Sequence, residues 1–323
     1  MPVIAKSTYK APMFCSNTHI QTVIPTLFRK VPDVTYQRER IDTPDGDFLD
    51  LDWSRVDSRR LAIVLHGLEG NSTRSYMMGM VRALNRGAWD ALAVNFRGCG
   101  GESNRRLQMY HSGETGDLQT VIRHVSGNDR YSALALVGSS LGGNVILKYL
   151  GEQGEATPPV IKAAVTISVP CDLKASSKRI SALMNRLYLK RFLLMLHEKM
   201  KTKALMAPEK IDLRGYEKIR TLKEFDDRFT APLHGFRDAY DYYVKSSCRP
   251  FLQKIRVPTL LINAADDPFL APSCYPYEEA KANPNLFLEV PKHGGHVGFM
   301  AFDHNGEYWS ETRAVTFLNQ RDC

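Results

Sequence analysis

The stretch Ala133-Leu-Ala-Leu-Val-Gly-Ser-Ser-Leu-Gly-Gly-Asn144 decides how the chain is read. Residues 133–137 have the near-continuous hydrophobicity of a short strand covered on both faces. Gly138-Ser139-Ser140-Leu141-Gly142 follows at once, and residues 142–151 then show helix-compatible spacing. A strand, a Gly-x-Ser-x-Gly turn and a helix in succession describe a sharp elbow that holds its central serine in a strained backbone conformation. Glycines flank it because side chains at those positions would clash. The elbow lifts the Ser140 hydroxyl clear of the sheet and places the next amides at a helix N-terminus, where they can stabilise an anion. The competing reading is an ordinary βα turn with an idle serine, and the strand–turn–helix context weighs against it.

Outward from this elbow the pattern repeats. Residues 61–65, 91–95, 163–167 and 259–263 are further short apolar runs, and residues 286–290 form another strand candidate. Residues 76–86 and 117–125 have helical spacing, with Asp117 expected as an N-cap. Alternation of this kind predicts an α/β fold, a mostly parallel central sheet with helices on both faces. Residues 35–41 and 48–53 flank Pro44-Asp45-Gly46-Asp47 and predict an antiparallel hairpin at one sheet edge. Residues 1–33 show no clear period and are expected to wrap the surface.

The alternation stops between 174 and 245. Ile180, Leu183, Met184, Leu187, Tyr188, Phe192 and Met195 recur there at helical spacing with Lys and Arg between them. Further helical pieces are expected at 221–228 and 235–245. This predicts one domain over 1–323 with a helical insertion at 174–245, expected to lie over the sheet as a lid.

Composition narrows the function classes. Of 323 residues, 43% are hydrophobic and 24% charged, which excludes disordered and collagen-like chains. No apolar run reaches the roughly 18 residues of a membrane helix. The N-terminus does not read as a secretory signal. Six cysteines at 15, 99, 171, 248, 274 and 323, with no CxxC pair, predict reduced thiols rather than a disulfide framework or zinc site. A cytoplasmic location is the expectation. The net charge is +8, yet residues 174–228 hold 15 basic and 7 acidic residues while the rest of the chain carries 28 of each. A locally basic surface follows, not a nucleic-acid-binding protein. The basic segment, chiefly 179–203, has three readings: a solvated lid face, recognition of acidic substrates, or weak peripheral contact with anionic membrane.

A serine hydroxyl needs a base and a group that orients that base. Asp266-Asp267-Pro268 follows one late strand, and His293-Gly294-Gly295-His296 follows the next; both lie where open α/β sheets place their sites. The order Ser, Asp, His suits this architecture. Asp267 is preferred to Asp266 because Pro-Phe-Leu after it fits a loop turning away from an inward carboxylate. His296 is preferred to His293 because Gly295 and Gly298 leave room for its ring. His66-Gly67-Leu68-Glu69-Gly70 follows residues 61–65, and its Leu68 amide would join that of Leu141 as an oxyanion donor. His66 itself is read as packing and fixing that loop. Asn95-Phe-Arg-Gly-Cys-Gly-Gly-Glu102 is read as a structural turn, since no P-loop lysine follows.

With these residues in place the chain resembles the α/β-hydrolase superfamily, and more closely the bacterial YheT-like esterases. The likeness spans nearly the full length and includes Asn17-Thr-His-Ile-Gln-Thr22, Thr43-Pro-Asp-Gly-Asp47, His66-Gly-Leu-Glu-Gly70, Asn95-Phe-Arg-Gly98, Gly138-Ser-Ser-Leu-Gly-Gly-Asn144, Ala265-Asp-Asp-Pro268 and Gly294-Gly-His-Val-Gly-Phe299. It implies a Ser140–Asp267–His296 relay and hydrolysis of a small carboxylic ester, without metal or organic cofactor. Some eukaryotic relatives act on lipids. Others carry an acyltransferase motif of His, four residues and Asp; here five residues separate His111 from Asp117, so that activity is not expected. Thioester or amide hydrolysis uses the same machinery, and a non-catalytic binding protein on this fold is the rival from another class.

Overall fold

The computed structural model describes residues 2–127, 130–302 and 305–321. Nine strands form one sheet: β1 (Val3–Ile4), β2 (Gln37–Asp42), β3 (Phe48–Ser54), β4 (Arg60–Leu65), β5 (Asp90–Asn95), β6 (Ala133–Ser139), β7 (Ile161–Ile167), β8 (Thr259–Ile262) and β9 (Leu286–Glu289). Their order across the sheet is β1-β9-β8-β7-β6-β4-β5-β3-β2. β2 and β3 pair antiparallel at one edge, as the Pro-Asp-Gly-Asp turn predicts, and β3 pairs antiparallel with β5; the other pairs are parallel.

Helices α1 (Thr18–Phe28), α2 (Ser75–Arg86), α3 (Gly116–Ser126), α4 (Leu141–Gln153), α10 (Tyr277–Ala282) and α11 (Trp309–Asn319) accompany the sheet. Between β7 and β8 lie α5 (Leu173–Ile180), α6 (Arg186–Met206), α7 (Leu222–Phe225), α8 (Ala231–Leu233) and α9 (Ala239–Ser246), with no strand among the described residues. The period of two along each strand sorts its side chains onto two faces. Leu61, Ile63, Leu65, Leu134 and Leu136 pack with Leu118, Val121, Val145 and Ile146 of α3 and α4. Ala62, Val64, Ala91, Ala93, Ala135 and Val137 meet Met77, Val81 and Leu84 of α2 and Phe317 and Leu318 of α11 on the other. The central strands are therefore apolar along most of their length, because both faces are covered.

Three expectations need correction. Residues 1–33 are not simply a surface wrap: β1 adds a parallel strand beside β9, and α1, N-capped by Asn17, packs against the site. Both are too short or too broken for a periodic signal, and α1 contains Pro25. Asp117 is not the N-cap of α3. Thr115 holds that position, while the Asp117 carboxylate is buried against Arg97, at 2.6 and 2.8 Å. The basic amphipathic helix is broken: α5 ends at Ile180, a single 3₁₀ turn covers Leu183–Asn185, and α6 starts at Arg186. The expected stripe loses register at that break. Ile180, Tyr188, Phe192 and Met195 face a cavity, whereas Leu183, Met184 and Leu187 are exposed. Among the described residues Cys15, Cys99, Cys171, Cys248 and Cys274 are free thiols, Cys323 lying outside them. No described helix is long and apolar enough to cross a membrane.

Candidate active site

Ser140 stands between β6 and α4 with φ 53° and ψ −118°, a conformation that non-glycine residues avoid. The glycines around it are forced by contact. A Cβ on Gly138 would sit 2.7 Å from backbone atoms of Gly142 and Gly143, and one on Gly142 would sit 2.6 Å from the Leu65 carbonyl oxygen. The strained turn is fixed from outside, since the Ser140 N–H donates to the Ile167 carbonyl of β7 at 2.8 Å.

The loops after β8 and β9 bring their residues to this serine. Ser140 Oγ lies 3.0 Å from His296 Nε2, and His296 Nδ1 lies 2.9 Å from Asp267 Oδ2 and 3.2 Å from Oδ1. An ionised carboxylate only accepts, so Nδ1 carries the ring proton and Nε2 is left to accept from the serine hydroxyl. Asp267 has no exposed side-chain surface and also accepts from the Phe269 N–H at 2.9 Å. The Phe269 ring packs 4.5 Å from the imidazole, centroid to centroid.

The neighbours that were set aside have a different task. His293 Nδ1 lies 3.3 Å from Asp266 Oδ2, and the Gly295 N–H donates to Asp266 Oδ1 at 3.0 Å. This second Asp–His pair staples the loop after β8 to the loop after β9 without touching Ser140. Burial pushes the Asp266 carboxyl above its ordinary range.

Leu141 is the first residue of α4, so its N–H has no partner within the helix. Leu68 follows β4 and lines the same cavities as Ser140. Its loop is held by His66, which is fully buried. Burial pushes the imidazole down to about 3, so it is neutral at physiological pH. Nδ1–H donates to the Gly67 carbonyl at 2.7 Å, and Nε2 accepts from the Phe96 N–H at 3.2 Å. His66 thus fixes the loop, as its place before the turn suggests. The Asn95–Glu102 turn is structural too: Asn95 accepts from the Ser72 N–H and donates to Asp52, and Arg97 joins Asp45 to Asp117. His111 lies against Glu114 and the ring of His234, apart from the Asp117–Arg97 pair.

Several residues that shape the site carry little sequence signal. Thr22 Oγ1, on α1, accepts from the His296 N–H at 3.0 Å, and Ser168 Oγ accepts from the Val297 N–H at 2.9 Å. Val297 and Ser168 both have positive φ, so these two bonds hold a strained loop in place. The segment Asn17–Thr22 stands out as a motif, but nothing in its spacing says that a threonine there would anchor the histidine loop. Lys199 and Tyr110 likewise have no local signature; they meet at Glu69 through the fold.

A cavity of about 220 Å³ opens on Ser140 and His296, and a second of about 110 Å³ opens on Ser140 and Leu141. Chemically, the serine, imidazole and carboxylate chain can raise the nucleophilicity of Ser140.

Comparison with known proteins agrees with this architecture. Residues 63–303 match the family model described as alpha/beta hydrolase fold. The chain is 37% identical over 319 residues to the Escherichia coli protein named "Putative esterase YheT", covering 95% of this chain and 93% of that one. It is 33% identical over 309 residues to mouse "Phospholipase ABHD3", covering 93% and 74%. Among solved structures, an esterase from Pyrococcus furiosus superposes with a TM-score of 0.62 at 19% identity, covering 91% of this chain and 96% of that one, which shows a shared fold.

Proposed function

The chain belongs to the α/β-hydrolase fold family, and we propose that within it the protein is a serine hydrolase of carboxylic esters. The observation that carries this reading is the unbroken chain of contacts Ser140 Oγ to His296 Nε2 at 3.0 Å and His296 Nδ1 to Asp267 Oδ2 at 2.9 Å. His296 takes the proton from Ser140 as the hydroxyl attacks the ester carbonyl. Asp267 holds the imidazole and stabilises its positive charge. The amides of Leu68 and Leu141 receive the oxyanion, each donor being worth about 3 kcal/mol of barrier. Collapse of the tetrahedral adduct breaks the bond to the leaving oxygen, which takes the proton from His296. Water, deprotonated by the same imidazole, then releases the acid from the acyl-enzyme.

The relatives named esterase and phospholipase support ester substrates, including lipid-like ones. Ile180, Tyr188, Phe192 and Met195 of the helical segment wall the larger cavity, which supports a lid role for residues 174–245. A fluorophosphonate probe tests the reading. The wild-type protein should be labelled and should hydrolyse nitrophenyl esters, while Ser140→Ala should do neither. Labelling that persists in a folded Ser140→Ala protein would overturn it.

A further inference from the structure

We propose that the two cavities meeting at Ser140 have separate duties: the smaller binds the acyl chain and limits its length, and the larger binds the leaving alcohol. This rests on the ester-hydrolase reading and assigns its two halves.

The argument is the stereochemistry of the tetrahedral adduct. Its carbon carries the serine oxygen, the oxyanion, the leaving oxygen and the acyl chain. The leaving oxygen must receive a proton from His296, so it lies on the imidazole side. His296 lines the larger cavity and not the smaller. Leu141, whose amide holds the oxyanion, lines the smaller cavity and not the larger. With the leaving group on the histidine side, the acyl chain is left the space beside Leu141.

That space is small and mainly apolar. Leu68, Leu141, Leu196, Leu222 and Phe225 contribute to its wall. Four of its polar groups engage one another: Asp226 accepts from Thr230 at 2.6 Å and from Tyr243 at 2.7 Å, and Tyr243 Oη lies 2.8 Å from Ser177 Oγ. At about 110 Å³ it is smaller than the roughly 150 Å³ apolar cavity that accommodates benzene, which points to chains of about four to six carbons. The larger cavity, about 220 Å³, is bordered by Leu27, Arg74 and Arg191, and neither arginine has an ion pair among the described residues. An alcohol of greater bulk fits that side.

Two ester series separate the duties. One varies the acyl group from acetate to dodecanoate on nitrophenol; the other keeps butanoate and enlarges the alcohol. Wild type should show a kcat/KM maximum at butanoate to hexanoate and a fall of about tenfold or more by decanoate, with far weaker dependence on alcohol size. Leu222→Ala should move the acyl maximum to longer chains. Leu222→Phe, which fills the same space, should move it to shorter ones and keeps the test open if the first variant is poorly folded. Leu27→Ala should alter the alcohol series and leave the acyl profile in place. An acyl profile that follows Leu27 and ignores both Leu222 variants would overturn the assignment while leaving the hydrolase reading intact. No cleavage of any ester, together with no fluorophosphonate labelling, would remove the reading beneath and this assignment with it.

Discussion

Lys199 Nζ, on α6, lies 2.9 Å from Glu69 Oε1, on the loop that carries Leu68. Both side chains are about nine-tenths buried. The Tyr110 hydroxyl donates to the same carboxylate oxygen at 2.7 Å and accepts from the Glu69 N–H at 2.7 Å. Glu69 has φ 51°, so this network holds a strained residue next to Leu68, the proposed oxyanion donor. A helix of the inserted segment is thereby tied to the loop on which the proposed chemistry depends.

Lys199→Met should leave the buried Glu69 carboxylate without its cationic partner and cost about 3 kcal/mol of stability. Release of the loop should also lower kcat about tenfold, with a smaller effect on KM, because the Leu68 amide serves the transition state more than the bound ester. Adding Glu69→Gln should recover most of the stability but not the rate. Denaturant unfolding and steady-state kinetics on the same samples check this; an unchanged kcat in a folded Lys199→Met protein would show the pair to be structural alone.

Gly142→Ala should be severely damaging. Its Cβ would fall 2.6 Å from the Leu65 carbonyl oxygen and 2.7 Å from that of His66, both backbone atoms that cannot step aside. The expected loss is about 3 kcal/mol or more of stability, with hydrolysis abolished as the elbow shifts. Ser139→Ala, one residue before Ser140, should differ little from wild type in either measurement. Equal tolerance of both changes would mean that the elbow is far looser than its contacts imply.

How far the sequence could be read follows from where each feature's cause lies. The strands around Ser140 were legible because burial on both sheet faces makes their middle residues almost continuously apolar. The elbow was legible because its glycines answer local backbone contacts, and the Ser, Asp and His candidates because each follows a strand end. Thr22 and Lys199 were not legible, since they gain their roles from contacts with His296 and Glu69 at distant points in the chain. The break at residues 181–185 was hidden for a related reason: an apolar repeat continues across it, and only the fold assigns Tyr188 to a cavity and Leu187 to the surface.

Asp226 should make stability depend on pH in a particular window. Burial pushes its carboxyl up to about 6, above the ordinary aspartate value. Between about pH 4 and pH 6 the folded protein retains a proton that the unfolded chain has released, so this group lowers stability as pH rises through that range. A shift of this size is worth about 3 kcal/mol once both states are ionised. Asp45 and Glu114, held down to about 2 by Arg97 and by His111 respectively, act in the opposite sense, and their contributions are lost as pH falls below about 4. Asp226→Asn should therefore flatten the decline between pH 4 and 6 and leave the acid limb in place. Urea unfolding across that range is the measurement, and the slope rather than the absolute stability is the readout, because the amide also loses one hydroxyl donor's partner.

The exposed side of the segment break carries the last expectation. Leu183, Met184 and Leu187 are 81%, 78% and 82% exposed, and Arg179, Arg186, Lys190 and Arg191 stand around them without ion pairs among the described residues. Leu27 of α1, also exposed, lines the larger cavity together with Tyr188, whose Oη lies 3.0 Å from His19 Nδ1. Apolar side chains flanked by unpaired cations suit the surface of an anionic bilayer. Co-sedimentation with phosphatidylserine-containing vesicles should be measurable at low salt and fade as salt rises, since the Debye length shrinks from about 30 Å at 0.01 M to about 10 Å at 0.1 M. Replacing Leu183, Met184 and Leu187 together with serine should weaken the binding at every salt concentration, whereas neutral vesicles should bind poorly throughout. Retention that ignores both salt and the triple substitution would assign these side chains to a solvated lid face.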